Sequence, residues 1–162
     1  MVSSHIILVC TLVLRLEIAF HLCSMIQKNI HLAMHAVAIR VSINDFIPLI
    51  TQSLIQEYWS HPSDLEILIG PCIKAHSLEL DDISALNREA WKNHVMIHNN
   101  GNHSVDLISR VVTDLSLLGI KYNNIYRSIR DTGNDDELFS HYRSTHLWEE
   151  EWRFLFCVGL KN

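Results

Sequence analysis

The apolar run Leu65–Ile69, halted by Gly70-Pro71 and followed by Cys72-Ile73, constrains this chain more than any other segment. Its length and its isoleucines suit a buried β-strand. Proline fixes φ and removes a backbone donor, and glycine reaches backbone angles closed to other residues, so Gly-Pro ends the strand abruptly. A cysteine therefore stands just past the end of a buried strand, where α/β proteins often place their chemistry. Nucleophile, metal ligand and small core residue are all open to Cys72 on these residues. The inert buried thiol is the default.

The flanking segments alternate between strand and helix patterns. Ile6–Leu14, Glu17–Leu22 and Ile30–Ala36 read as buried strands. Ser42 with Asp45 resembles a helix start, and Ile43, Ile47, Ile50, Leu54 and Tyr58 then recur at helical spacing, with Pro48 early enough to be tolerated. Asp81 or Asp82 is expected to cap a helix over Ile83–Trp91, and Asn99-Asn100-Gly101-Asn102 is a strong turn signal. Val105–Leu118 is the clearest helix, because Leu107, Val111, Leu115 and Leu118 form one stripe and Gly119 sits where a helix C-terminus favours glycine. Asn124–Ile129 and Arg153–Leu160 read as strands separated by a polar loop. This alternation predicts an α/β layered domain, and the length of 162 residues predicts one domain over residues 1–162.

Charge narrows the partners. Lys and Arg number 13 against 18 Asp and Glu, a net charge of −5, with no basic block interleaved with aromatics. That pattern argues against nucleic acid as a partner. The uncharged stretch Met1–Leu14 is too short to span a bilayer, lacks an early Lys or Arg, and is not followed by an Ala-x-Ala cleavage pattern. Cys10, Cys23, Cys72 and Cys157 are widely spaced, without a Cys-x-x-Cys pair. Reduced thiols in a cytoplasmic protein are expected, with no membrane partner; a secreted protein with two disulfides is the weaker alternative.

Three groups of residues are candidates for chemistry. His31 and His35 stand four apart, but Leu32 follows the first histidine where a zincin needs Glu, and the segment reads as strand. His35 alone ends a buried strand, a place where a structural histidine is the commoner outcome. It could pair with Cys72 as thiolate and imidazole if the two strand ends are neighbours. Arg143, in Phe139-Ser140-His141-Tyr142-Arg143, and Arg153 supply guanidinium groups suited to an anionic ligand, although Glu149, Glu150 and Glu151 offer them ordinary solvated partners.

Several segments follow one another in a telling order: Met34-His35-Ala36-Val37, Ile69-Gly70-Pro71-Cys72-Ile73 and Leu78-Glu79-Leu80. Then come Asp106-Leu107, Gly119, Asn124-Ile125, Leu138-Phe139-Ser140-His141-Tyr142-Arg143, Trp152-Arg153 and the closing Val158-Gly159-Leu160. From about Glu17 onward this order resembles the bacterial laccase-domain, or "polyphenol oxidase", family, regarded as zinc-binding purine nucleoside phosphorylases. The matching family motifs are His-Ala-Gly-Trp-Arg, Gly-Pro-Cys-Ile, Tyr/Phe-Glu-Val, Phe-Phe-Ser-(Tyr/His)-Arg-Arg and Gly-Arg.

The resemblance implies an α/β/β/α layered fold and phosphorolysis of adenosine and inosine, with adenosine deamination in some members. It makes purine nucleoside and phosphate the expected partners and zinc the expected cofactor. It also implies His35 as metal ligand or acid/base group, and Arg143 and Arg153 as ligands of phosphate or ribose oxygens. The family site joins two histidines and a cysteine around zinc. Ile18 stands where that cysteine is expected, seventeen residues before His35, and Cys10 or Cys23 could serve only with an insertion or a deletion. Val37, Ala38 and Ile39 replace Gly-Trp-Arg. Three protein ligands are usual for catalytic zinc, so a shortened member with weakened or lost activity is expected. The alternative is a non-catalytic remnant acting as a structural or interaction protein.

Overall fold

The computed structural model describes residues 5–10, 32–36, 46–57, 61–84, 86 and 88–148. The expected strands at Glu17–Leu22 and Arg153–Leu160, the helix start at Ser42 and Asp45, and Arg153 itself lie outside these residues. Four strands form a parallel sheet: β1 (His5–Cys10), β2 (Leu32–Ala36), β3 (Leu65–Ile69) and β7 (Ile125–Arg127), in the order β2-β1-β3-β7. The Leu65–Ile69 run is thus an interior strand, as its composition predicts. Leu65, Ile67 and Ile69 are buried, while Glu66 and Leu68 are only half-buried. Alternation along the pleat sends the first set to one face.

That face is covered by two helices, α1 (Phe46–Glu57) and α3 (Leu107–Leu117). Ile47 from α1 and Val111 and Leu115 from α3 join Leu65, Ile67, Ile69, Ile120 and Ile125 in one core. Full burial of side chains such as Ile67 and Leu115 contributes roughly 1.5–3 kcal/mol each before entropy is counted. In chain order α1 precedes β3 and α3 precedes β7. Helix α3 belongs to the crossover from β3 to its parallel neighbour β7.

The two ends of α3 follow from local chemistry. Asp106 caps it, its carboxylate accepting the Ser109 backbone N–H at 2.8 Å. Gly119 adopts φ +87°, and the Ile120 N–H returns to the Leu115 carbonyl at 3.2 Å. Glycine reaches this left-handed conformation without the steric cost a Cβ would bring. The helix also buries an ion pair: Arg110 Nη2 and Nε each lie 3.0 Å from an Asp114 carboxylate oxygen.

A second, antiparallel sheet has the order β4-β6-β5, from β4 (Glu79–Leu80), β5 (Val95–Ile97) and β6 (His103–Val105). The Asn99–Asn102 turn closes its hairpin, with Ile97 paired to His103. Ile73, Leu78, Leu86, Trp91, Val105 and Leu107 form a second core against this sheet. The helix expected over Ile83–Trp91 is confined to α2 (Arg88–Trp91). Asp82 accepts the Ser84 backbone N–H at 2.7 Å and its hydroxyl at 2.9 Å, an Asx turn that competes with helix at this point.

The strand expected over Asn124–Ile129 is shortened for a related reason. Tyr122–Asn124 form a 3₁₀ turn, and the Asn124 amide donates to the carbonyls of Ser63 and Leu65 at 3.0 and 3.1 Å. The polar loop beyond β7 contains a further helix, α4 (His141–His146), capped by Ser140. The architecture is mixed α/β, as the alternation predicts. Among the described residues no helix is long and apolar enough to cross a membrane.

Candidate functional site at the carboxyl edge of the parallel sheet

Four parallel strands end on one edge, and register locates each candidate along it. His35 pairs with Val9, Val9 with Ile69, and Ile69 with Arg127, so these residues form one row across the sheet. Cys10 is one step beyond Val9, paired with Ala36. Neighbouring strands lie about 4.8 Å apart, so the backbones of His35 and Ile69 are separated by roughly 10 Å, with β1 between them. The ends of β2 and β3 share an edge without being neighbours. Cys10, not Cys72, occupies the strand beside His35.

Cys72 has a different setting. It is buried, forms no disulfide and makes an isolated parallel bridge with Asp131. The Thr132 N–H donates to its carbonyl at 3.2 Å. Gly70-Pro71-Cys72-Ile73 is thus the seam where the loop after β3 joins the loop after β7, and Ile73 continues into the second core.

Asp131 locks this seam. Its Oδ1 accepts the backbone N–H groups of Lys74 at 3.0 Å and Gly133 at 2.8 Å. Its Oδ2 accepts the Ser77 hydroxyl at 2.6 Å and the Asn134 amide at 3.3 Å, and lies 3.0 Å from His76 Nε2. The Asn134 amide also donates to Ser77 Oγ at 2.6 Å. Burial alone would raise the Asp131 pKa. The donors from Ser77, Lys74 and Gly133, with the nearby His76, outweigh it and hold the carboxyl below its usual range. A Cβ on Gly133 would collide with Ser77 Cβ and crowd Asp131 Oδ1 and Ile73, so the two loops approach more closely than any other residue permits.

The arginines beyond β7 are committed to the same loop. Arg143, expected to bind phosphate or ribose oxygens, is buried in α4. Its Nη1 donates to the carbonyls of Thr132 at 3.3 Å and Asp135 at 2.8 Å, and its Nη2 to that of Leu138 at 2.9 Å. A guanidinium taken out of water needs such acceptors, and loop carbonyls supply them here. Arg130 grips Asp135 through Nε and Nη2 at 2.6 and 2.7 Å, and reaches Glu137 at 2.6 Å. This bidentate pairing holds the Asp135 carboxyl low and raises Arg130 above its ordinary value.

Sequence reasoning singled out Cys72 and Arg143 but missed Asp131, the residue that joins their loops. Its one local signal was the turn-forming string Asp131-Thr132-Gly133-Asn134. A second polar cluster lies under the small sheet: His94 Nδ1 is 3.0 Å from Ser109 Oγ, and burial, then Arg110, push the imidazole pKa down. Among the described residues no three His, Cys, Asp or Glu side chains converge as a metal site requires. Register sets Cys10 in the row after that of His35, and alternation along the pleat assigns consecutive rows to opposite faces of the sheet. His35 alone is left of the ligands the resemblance implies, short of the usual three for catalytic zinc.

Two solved structures share this architecture. One is the hypothetical protein YfiH of Bacillus licheniformis, with a TM-score of 0.55, 21% identity, and coverage of 64% of this chain and 41% of that one. The other is YlmD of Geobacillus stearothermophilus, with a TM-score of 0.60, 24% identity, and coverage of 68% of this chain and 43% of that one. The chain therefore spans less than half the length of either, and at these identities the likeness concerns the fold. No curated protein matches the chain. The model of one family matches residues 27–154, well over half the sequence. The chain belongs to the multi-copper polyphenol oxidoreductase laccase family.

Proposed function

We propose that this chain is a purine nucleoside phosphorylase-type member of its family, acting on adenosine or inosine, whose activity is weakened or lost. The observation that carries the reading is the family match over residues 27–154, a span that includes His35. In this proposal His35 is the metal ligand or acid/base group. Arg153 binds phosphate or ribose oxygens, and Arg143 contributes by positioning the loop whose carbonyls it holds. The family name carries copper, whereas the resemblance implies zinc, and imidazole suits either metal. Because His35 alone is left of the implied ligands, no step is routed through a metal.

The test is phosphate-dependent release of hypoxanthine or adenine, with and without added zinc, together with the metal content of the purified protein. Release stimulated by zinc supports the reading. No turnover, with no bound metal, removes the enzyme reading and leaves the non-catalytic one. A second reading, a non-catalytic remnant with a structural or interaction role, is favoured by the internal use of Asp131 and Arg143 as loop fasteners. It predicts no turnover under any condition while the fold remains cooperative.

A further inference from the structure

We propose that Asn100 is a site of spontaneous covalent modification, through deamidation at the Asn100-Gly101 step of the β5–β6 hairpin. This is the only Asn-Gly step in the chain. Asn99, Asn100 and Gly101 are all exposed, and the space where a Gly101 Cβ would stand is empty to 4 Å. A side chain there would shield the Gly101 nitrogen from the neighbouring amide. Nothing does so.

The reaction uses the chain and water alone. The Gly101 backbone nitrogen, having lost its proton to base, attacks Asn100 Cγ; an N–C bond forms, the bond from Cγ to the side-chain nitrogen breaks, and ammonia leaves. Water then opens the cyclic imide at either carbonyl, yielding aspartate or isoaspartate. No oxidant or reductant takes part. The Asn102 N–H donates to Asn100 Oδ1 at 3.0 Å, drawing electron density from the carbon under attack. One contact opposes the step: the Gly101 N–H donates to the His98 carbonyl at 3.0 Å and must open first. Hydrogen bonds in exposed hairpin loops open at the low end of the local-stability range.

The product changes what the loop can hold. The Asn100 amide now donates to Glu79 Oε1 at 3.4 Å, tying the loop to β4. Deamidation replaces that donor with a carboxylate facing a carboxylate, and attraction becomes repulsion. The isoaspartate product also adds a backbone methylene inside a loop closed by the His98 N–H to Asn102 carbonyl bond at 2.9 Å. The modification therefore loosens the hairpin at its turn and removes the turn's side-chain tie to Glu79, while the β4–β6 pairing of Glu79 with Ser104 and Leu80 with His103 remains.

The folded protein, incubated at mildly alkaline pH, should gain about 1 Da, the amide-to-acid change. Peptide mapping should place it at Asn100 before any other asparagine, with a rate that rises with pH. Asn100→Gln, which would need a larger and slower-forming ring, should lose this first conversion. First conversion at another asparagine overturns the proposal. So does an intact Asn100 over a period in which the denatured chain converts fully.

Discussion

The two halves of the parallel sheet's carboxyl edge are built on opposite terms. On the β3–β7 side, Gly70–Ile73 and Asp131–Asn134 are fastened by a half-buried carboxylate with donors from Lys74, Ser77, Gly133 and Asn134. On the β1–β2 side, register sets His35 and Cys10 at consecutive positions along the edge. The family-like motif Gly-Pro-Cys-Ile lies wholly in the fastened half. The lesson is that an intact motif can mark scaffold, while His35, to which the proposed chemistry is assigned, lies across β1 from it.

The comparison breaks most decisively at His35. His35→Ala should abolish any phosphate-dependent nucleoside cleavage; a variant that turns over like the parent removes His35 from the chemistry and erases the distinction between the halves. On the fastened side, Asp131→Ala should cost roughly 2–4 kcal/mol in urea unfolding, because it strips several donors of their acceptor in a largely buried place. Asp131→Asn keeps the shape and part of the bonding, so it should fall between the two. A silent Asp131→Ala would mean that the seam holds without its clasp.

Acid probes the same clasp more gently. The folded-state pKa values of Asp131 and Asp135 are lowered, so their contribution is present above the unfolded carboxylate value of about 3.9 and is lost as pH falls through the lower folded values. Stability should therefore decline on acidification below that value, and the decline should be shallower in Asp131→Asn. An identical acid profile in the variant would place the sensitivity elsewhere. The smallest effect is expected at Cys72. Cys72→Ala removes one buried sulfur and should cost about 1 kcal/mol while leaving turnover unchanged. Lost turnover in a well-folded Cys72→Ala protein would restore Cys72 as a reactive thiol.

Legibility followed the range of the interactions. Strand β3, its Gly-Pro stop, the body of helix α3 with Gly119 at its end, and the Asn99–Asn102 turn depend on period and turn chemistry within a few residues. All were readable. Strands β4, β5 and β6 contain two or three residues each, too few to show an alternation, and α4 lacks an apolar stripe. The helix expected after Asp82 shortened because local Asp–Ser bonds offered the backbone an alternative. Arg143 looked like an anion ligand because sequence shows a charge but not the carbonyls folded around it.

By itself the sequence determined the α/β alternation, the interior strand Leu65–Ile69 with its stop, the stripe of α3 with its Gly119 end and the order of motifs that resembles a family. Each of these depends on neighbours in the chain. Only the tertiary structure decided that β1 separates His35 from Gly70 and that Cys72 faces the loop after β7. It also decided that Asp131 joins residues 54 and 57 positions away in the chain. Strand order and burial set those pairings, and both emerge only when distant segments exclude water together.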